Sequence, residues 1–382
     1  MDAIYLDNNA TTRPAPEVVA AMSDCLRDGW GNPSSMHAMG QAAQHAIEEA
    51  RAQVAALIGA EPREIVFTSG GTEADNLAIL GTLAAAPAKR HVVTTAVEHP
   101  AVLDLCRRLE KEGYAVTYVG VDREGRIDVD EFAAALRPET AVASVMHANN
   151  ETGVMFPVER LAEVAAERGV PLHVDAVQSA GKVPLDVRAS KIALMSVSAH
   201  KVHGPKGIGA LLVRRGVRVR GRQIGGHQER DLRPGTENVP GIVGFGVAAD
   251  LARRELPHTA ARIAALRDRL EARLLERIDY ARVNGDRVAR VPNTTNIGFE
   301  SLEADAILIA LSEAGVCVSA GAACSSGSLE PSHVQKAMGI DPRFAHGAIR
   351  FSLSRYTSDD EIDRALEIVP AVLTRLASLT AA

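Results

Sequence analysis

Lys201 closes the run Ser196-Val197-Ser198-Ala199-His200-Lys201, just past an apolar stretch, and the Gly/Pro-rich turn Gly204-Pro205-Lys206-Gly207-Ile208-Gly209 follows it. An amine so placed can form an imine with an aldehyde cofactor. Lys206 is a second candidate, although a position inside the Gly-Pro turn suits a solvated side chain better. Asp175 ends the apolar run His173-Val174-Asp175. A carboxylate there can pair with a protonated pyridine nitrogen and make the ring a better electron sink; the plainer role is the N-cap of a following helix. Thr68-Ser69-Gly70-Gly71-Thr72-Glu73 reads as a strand end, a glycine turn and a helix start. Backbone N–H groups at such a start bind phosphate, although a simple Ser or Thr cap is an even alternative. Ser319 to Ser328 is a run of small residues without periodicity, which predicts a mobile loop with the thiol of Cys324 at its centre. Arg350 interrupts the apolar stretch Ala348–Ser352 and needs an anionic partner, either a substrate carboxylate held bidentately or a structural Asp or Glu.

The elements that must position these groups alternate. Helical periodicity covers 38–58, and strands are expected at 64–68, 91–94, 115–119, 141–145, 171–174, 194–197 and 208–213. Helices are expected between them, from Thr72, over 100–112, over 129–136 and over 158–168. This βαβ rhythm predicts an α/β fold: a mostly parallel sheet with helices on both faces, whose ligands bind beyond the carboxyl ends of the strands. Beyond about residue 253 the pattern changes to a long Arg- and Leu-rich helix over 258–278 followed by short strands and helices. A large domain over 15–255 and a smaller α/β domain over 256–382 are therefore expected, with 1–14 packing on the smaller one.

Composition narrows the classes. The 382 residues carry a net charge of −6, with 46% hydrophobic, 24% charged and 3% aromatic residues. No basic face is concentrated enough for nucleic acid, and the Arg-rich stretch 214–222 reads as a strand edge and turn. No apolar run reaches the roughly 18 residues of a membrane span. The first ten residues have neither a basic region nor a long apolar run, so no signal peptide is expected. Four cysteines without a CxxC pair argue against a disulfide framework or zinc site and fit a cytoplasmic location. Cys25, Cys106 and Cys317 are read as buried and inert. The glycines at 204, 207 and 209 do not match GxGxxG and precede a strand, so a dinucleotide-binding fold is disfavoured.

Taken in order, the segments resemble the NifS/IscS-type cysteine desulfurases of the class V aminotransferase group. The likeness runs over nearly the whole chain. It is carried by Tyr5–Thr12 (YLDNNATT), Gly31–Ser35, Thr68–Asn76, Glu98-His99-Pro100, Asn149–Gly153 (NNETG), Asp175 with Gln178, Ser198–Lys201, Gly225–Arg230 (GGHQER), Arg233–Asn238, Cys324–His333 and Arg350–Tyr356. The wording is closer to the NifS side. The resemblance implies PLP fold type I with pyridoxal 5'-phosphate (PLP) bound to Lys201, Asp175 at the pyridine nitrogen and Gln178 at the phenolic oxygen. His99 would stack on the ring and move protons. Gly71, Thr72, Ser198 and His200 would hold the phosphate, with Thr236 reaching in from the second subunit of a homodimer. Asn150 and Arg350 would orient the carboxylate of L-cysteine, and Cys324 would take the sulfur as a persulfide. The sequence departs from the family at SAGAAC, where SSGSAC is usual, which leaves the thiol and changes its neighbours.

The resemblance further implies a sulfur supply to an iron–sulfur scaffold, nitrogenase clusters included, or to another acceptor protein. A selenocysteine lyase, or a sulfur donor for tRNA thiolation, is the alternative. A thiol at its ordinary pKa of about 8.5 is mostly protonated, so a nearby cation or proton acceptor should help it, and His99 is the candidate.

Overall fold

The computed structural model describes residues 3–320 and 330–380. Its central sheet has seven strands, in spatial order 65–68, 209–213, 194–198, 172–175, 140–146, 91–95 and 115–119. All neighbours run parallel except the strand Gly209–Val213, which is antiparallel to both of its partners. Successive strand residues point to opposite faces, and here both are apolar. Phe67, Val93 and Leu212 face one core, which also holds Ile47 and Val54 of the helix Ala38–Ile58. Their neighbours Val66 and Leu211 face Leu77 on the other side, and Val92 faces Ile79 and Val102. A sheet apolar on both faces must be covered on both, which is why its strands read as continuous hydrophobic runs.

A second core gathers around the antiparallel strands 348–352, 294–299 and 281–283. It contains Ile4 and Leu6, whose short strand Ile4–Tyr5 lies parallel to Val316–Cys317.

Two sequence expectations need correction. The helix expected to begin at 258 begins at Val239 and runs unbroken to Arg277. Pro257 lies inside it and removes one backbone hydrogen bond without ending it. Glycines had weakened the helical signal, but they are there for packing: a Cβ on Gly246 would come within 2.6 Å of the Ala50 Cα. The helix puts Phe245 and Ala249 in the first core and Leu266, Leu270 and Leu274 in the second, and so ties the two together. Of the strand edge and turn expected over 214–222, the turn is present at 215–216, but the strand ends at Val213. Arg214 turns back and donates to the carbonyl oxygens of Val187, Ser190 and Ile192 at 2.6–3.0 Å, ending the strand.

Candidate active site

Sheet register brings the sequence candidates to one edge. Thr68 pairs with Gly209, Gly209 with Ser198, Asp175 with Ser196 and Met146 with Asp175. The rim so formed carries Thr68, Asp175, Ser196 and Ser198 from the strands, with Gly70–Gly71, Lys201, Gln178, Asn150 and His99 in the turns just beyond.

Lys201 ends the one-turn 3-10 helix Ala199–Lys201. Its Nζ donates to the Asn9 and Ala10 carbonyl oxygens at 2.5 and 2.9 Å. Lys206, the rival amine, is exposed on its turn. Asp175 is buried, and its Oδ1 accepts the Val177 N–H at 2.9 Å, an Asx turn and not a helix cap. Burial pushes its carboxyl up, against the pull of that hydrogen bond and of the His99 and Lys201 charges. His99 caps the helix Pro100–Lys111 through Nδ1, which accepts the Ala101 N–H at 3.1 Å. Burial first, then the Lys201 and His333 charges, holds its pKa down, against the pull of Asp175. With Nδ1 accepting, the neutral ring carries its proton on Nε2. In that tautomer Nε2 is the nitrogen with a proton to donate.

Gly71 opens the helix Gly71–Ala85, which lacks a side-chain cap. A Cβ there would meet Val177 Cγ2 at 2.8 Å, so only glycine lets that turn approach the rim. The same position lies 3.8 Å from Ser198 Cβ, which puts Gly71 and Ser198 together. Thr72 is exposed beside them. His200 Nδ1 lies 3.2 Å from Thr11 Oγ1, and burial together with nearby lysines lowers its pKa to about 4. Thr236 is on an exposed turn of the same chain.

Arg350 is buried, with Nη1 donating to the Asn150 carbonyl and Nη2 to Asp7 Oδ1, both at 2.7 Å. The structural acid left open by the sequence is thus Asp7, and the guanidinium also lies against the candidate cluster. Cys324 lies outside the described residues. Of the other cysteines, Cys106 is buried with its thiol pushed up to about 12, whereas Cys25 and Cys317 are partly exposed and not buried as expected.

The residue the sequence reading passed over is Asn9. Its carbonyl oxygen accepts from Lys201 and from Gln178 Nε2, its Oδ1 accepts from Lys182 and Asn293, and its Nδ2 donates to Thr294 Oγ1 and the Asn150 carbonyl. Asn9 thereby joins the first segment of the chain to both cores at the rim. Its place in the DNNATT run was the available signal, but nothing local to it shows which partners it meets.

The family model of class V aminotransferases matches residues 4–365. The chain belongs to that family. Its relatives include the cysteine desulfurase of Trichormus azollae, 55% identical over 380 residues that span 100% of this chain and 95% of the relative. Cysteine desulfurase NifS of Azotobacter vinelandii is 50% identical, with 100% and 95% covered. Among solved structures, a NifS-like protein superposes with a TM-score of 0.92 at 38% identity, covering 98% of this chain and 100% of that one. SspA in complex with cysteine gives 0.82 at 37%, with 93% and 99% covered. Within the class V aminotransferases the chain is of the NifS/IscS cysteine-desulfurase type, with the PLP type I fold.

PLP is the cofactor of this family, and the rim fits it. The buried Asp175 carboxyl is costly to ionise alone, and a pyridinium nitrogen supplies the missing cation. The uncapped helix start at Gly71, packed close to Ser198, suits a phosphate. The Lys201 amine stands at the same rim as both.

Proposed function

We propose that this rim is the site of a cysteine desulfurase that converts L-cysteine to L-alanine and passes the sulfur to Cys324 as a persulfide. The observation that carries the reading is the gathering of Lys201, Asp175 and His99 at one strand-end rim, where the His99 and Lys201 charges pull on the buried Asp175 carboxyl, in a chain alike over its whole length to cysteine desulfurases.

In this reading Lys201 bonds PLP, Asp175 faces its ring nitrogen and Gln178 its phenolic oxygen. Gly71, Thr72, Ser198 and His200 hold its phosphate. When bound, PLP supplies an electron sink for the substrate's α-carbon. The chain's own groups do the rest. Arg350, steadied by Asp7 and by the Asn150 carbonyl, holds the substrate carboxylate, with Asn150 beside it. The Lys201 amine removes the α-proton. Neutral His99 offers its Nε2–H to an anion, which favours a thiolate over a thiol. The Cys324 thiolate forms an S–S bond to the substrate sulfur as the Cβ–S bond breaks, and the electron pair stays with the carbon skeleton. Overall the proton given up by the Cys324 thiol ends on the methyl carbon of alanine, and Cys324 carries S–SH.

A homodimer is part of the proposal. Thr236 is exposed on its own chain, as a residue serving a second subunit's phosphate must be, and Trp30, Met36 and Ile224 are exposed apolar side chains at 73%, 88% and 103%. The acceptor we infer is an iron–sulfur scaffold protein in the cytoplasm, with nitrogenase maturation suggested by the name of the Azotobacter relative. Among the described residues no helix is long and apolar enough to cross a membrane. Assay of alanine and sulfide from L-cysteine, with and without added PLP, tests the reaction. Equal yields that depend on PLP are expected; turnover of L-selenocysteine with none of L-cysteine refutes it.

A further inference from the structure

We propose that Lys182 is a positioning residue that fixes which way the Gln178 amide faces, so that Gln178 turns its NH2 end, and not its oxygen, toward the phenolic oxygen of the cofactor. The inference rests on the PLP reading above and adds a residue to it.

Lys182 follows Gln178 by four residues on the turns after Asp175, and Lys182 Nζ donates to Gln178 Oε1 at 2.8 Å and to Asn9 Oδ1 at 3.0 Å. Both acceptors are amide oxygens, whose orientation is set by other bonds. Asn9 Nδ2 points at the Asn150 carbonyl, and Asn293 Nδ2 donates to Asn9 Oδ1 and to the Leu353 carbonyl. A carbonyl cannot donate, so Asn9 must present its oxygen to Lys182. Gln178 Nε2 donates to the Asn9 carbonyl, the same oxygen that Lys201 Nζ reaches. The NH2 end of Gln178 is thus aimed at the place of the Lys201 amine.

Burial, reinforced by the Lys201 and Arg350 charges, holds the Lys182 pKa well below that of an ordinary lysine. The geometry tolerates this. A neutral amine has two N–H bonds, and two acceptors are present. Donation to both amides therefore persists whether or not Lys182 is charged.

Without Lys182 the Gln178 oxygen loses its partner, and only the Nε2 bond to the Asn9 carbonyl still opposes a turn of the amide. An amide oxygen facing the phenolic oxygen repels its negative charge, whereas an N–H stabilises it. Loss of that donor, and of any positive charge on Lys182, makes the cofactor's lysine-linked group hold its proton more tightly.

The test is a pH titration of the visible absorbance of PLP-loaded enzyme, for the wild type, Lys182→Met, Gln178→Leu and the double variant, with thermal unfolding of each as a check on folding. Lys182→Met is expected to move the spectral midpoint to higher pH by about one unit, the worth of one hydrogen bond. On the Gln178→Leu background the same change is expected to add little, because the two residues act in series. A purely structural role would lower the melting temperature and leave the midpoint in place. If Lys182→Met does not fold, Lys182→Gln takes its place under the same criteria, since its shorter side chain cannot donate to both amides. An unmoved midpoint in a folded, coloured variant overturns the inference, as does an equal shift on both backgrounds. A wild-type chain that takes up no PLP overturns the cofactor reading itself, so the two failures are told apart.

Discussion

Arg350→Lys separates the carboxylate-binding role of Arg350 from its structural one. The guanidinium is 2% exposed and spends Nη1 on the Asn150 carbonyl and Nη2 on Asp7, each at 2.7 Å. A planar fork can hold these partners and face a substrate carboxylate; a single ammonium on a shorter stem cannot meet all three. One charge-assisted hydrogen bond is worth about 1.5–3 kcal/mol. At about 1.4 kcal/mol per tenfold, its loss lowers kcat/KM for L-cysteine about 10- to 150-fold. The carboxylate is held alike before and during reaction, so the loss belongs in KM, with kcat nearly kept. Steady-state assays with L-cysteine and with cysteamine, which lacks the carboxylate, make the comparison. The variant should lose heavily on the first and little on the second. An equal loss on both, or an unchanged KM for L-cysteine in a variant that melts normally, refutes the reasoning.

Three further outcomes follow from the same packing. Glu98 is buried, accepts the Thr95 hydroxyl and the Met146 N–H on Oε1, and burial raises its carboxyl from 4.5 to about 8. A pKa raised in the folded state contributes stability below about 4.5 and loses it as pH rises through about 8. Glu98→Gln, whose amide oxygen can accept the same two bonds, should therefore gain on the wild type between pH 5 and pH 8 in thermal melts; a gap independent of pH contradicts this. Arg51 holds Glu229 with two bonds of 2.8 Å, both side chains being nearly sealed from solvent. Arg51→Met strands a buried carboxylate and should cost about 3–5 kcal/mol in urea unfolding. Gly71→Ala drives a methyl to 2.8 Å from Val177 Cγ2 at the proposed phosphate cradle, so PLP affinity by absorbance titration should fall at least tenfold (about 1.4 kcal/mol) with little change in melting of the apo-protein.

Much of this molecule was legible in its residues. Strands buried on both faces announce themselves as apolar runs, and 91–95, buried throughout, falls within one residue of the expected 91–94. The helix Ala38–Ile58 does the same, stopped by Gly59 in the left-handed conformation at φ 68°. Lys201, Asp175 and the Gly70–Gly71 turn were visible because polar groups and glycines after apolar strands stand out, whereas His99, Asn150, Gln178 and Thr236 came only with the family resemblance. The long helix was hidden because its glycines and Pro257 carry local signals that tertiary packing overrides. Asn9 and Lys182 were hidden for a different reason. Asn9 meets Gln178, Lys182 and Asn293, partners 169 to 284 residues away, and a lysine after Gly181 reads as a solvated turn until the fold closes over it. The tautomer of His99 was likewise unreadable, since it depends on which nitrogen caps the following helix.

The most direct measurement is a single turnover of PLP-loaded enzyme with L-cysteine, quenched and split between alanine analysis and peptide mass mapping. One alanine per active site, with one added sulfur on the peptide containing Cys324, is the predicted result. Alanine formed with the sulfur on Cys25, Cys106 or Cys317, or no alanine from a fully loaded enzyme, would contradict it.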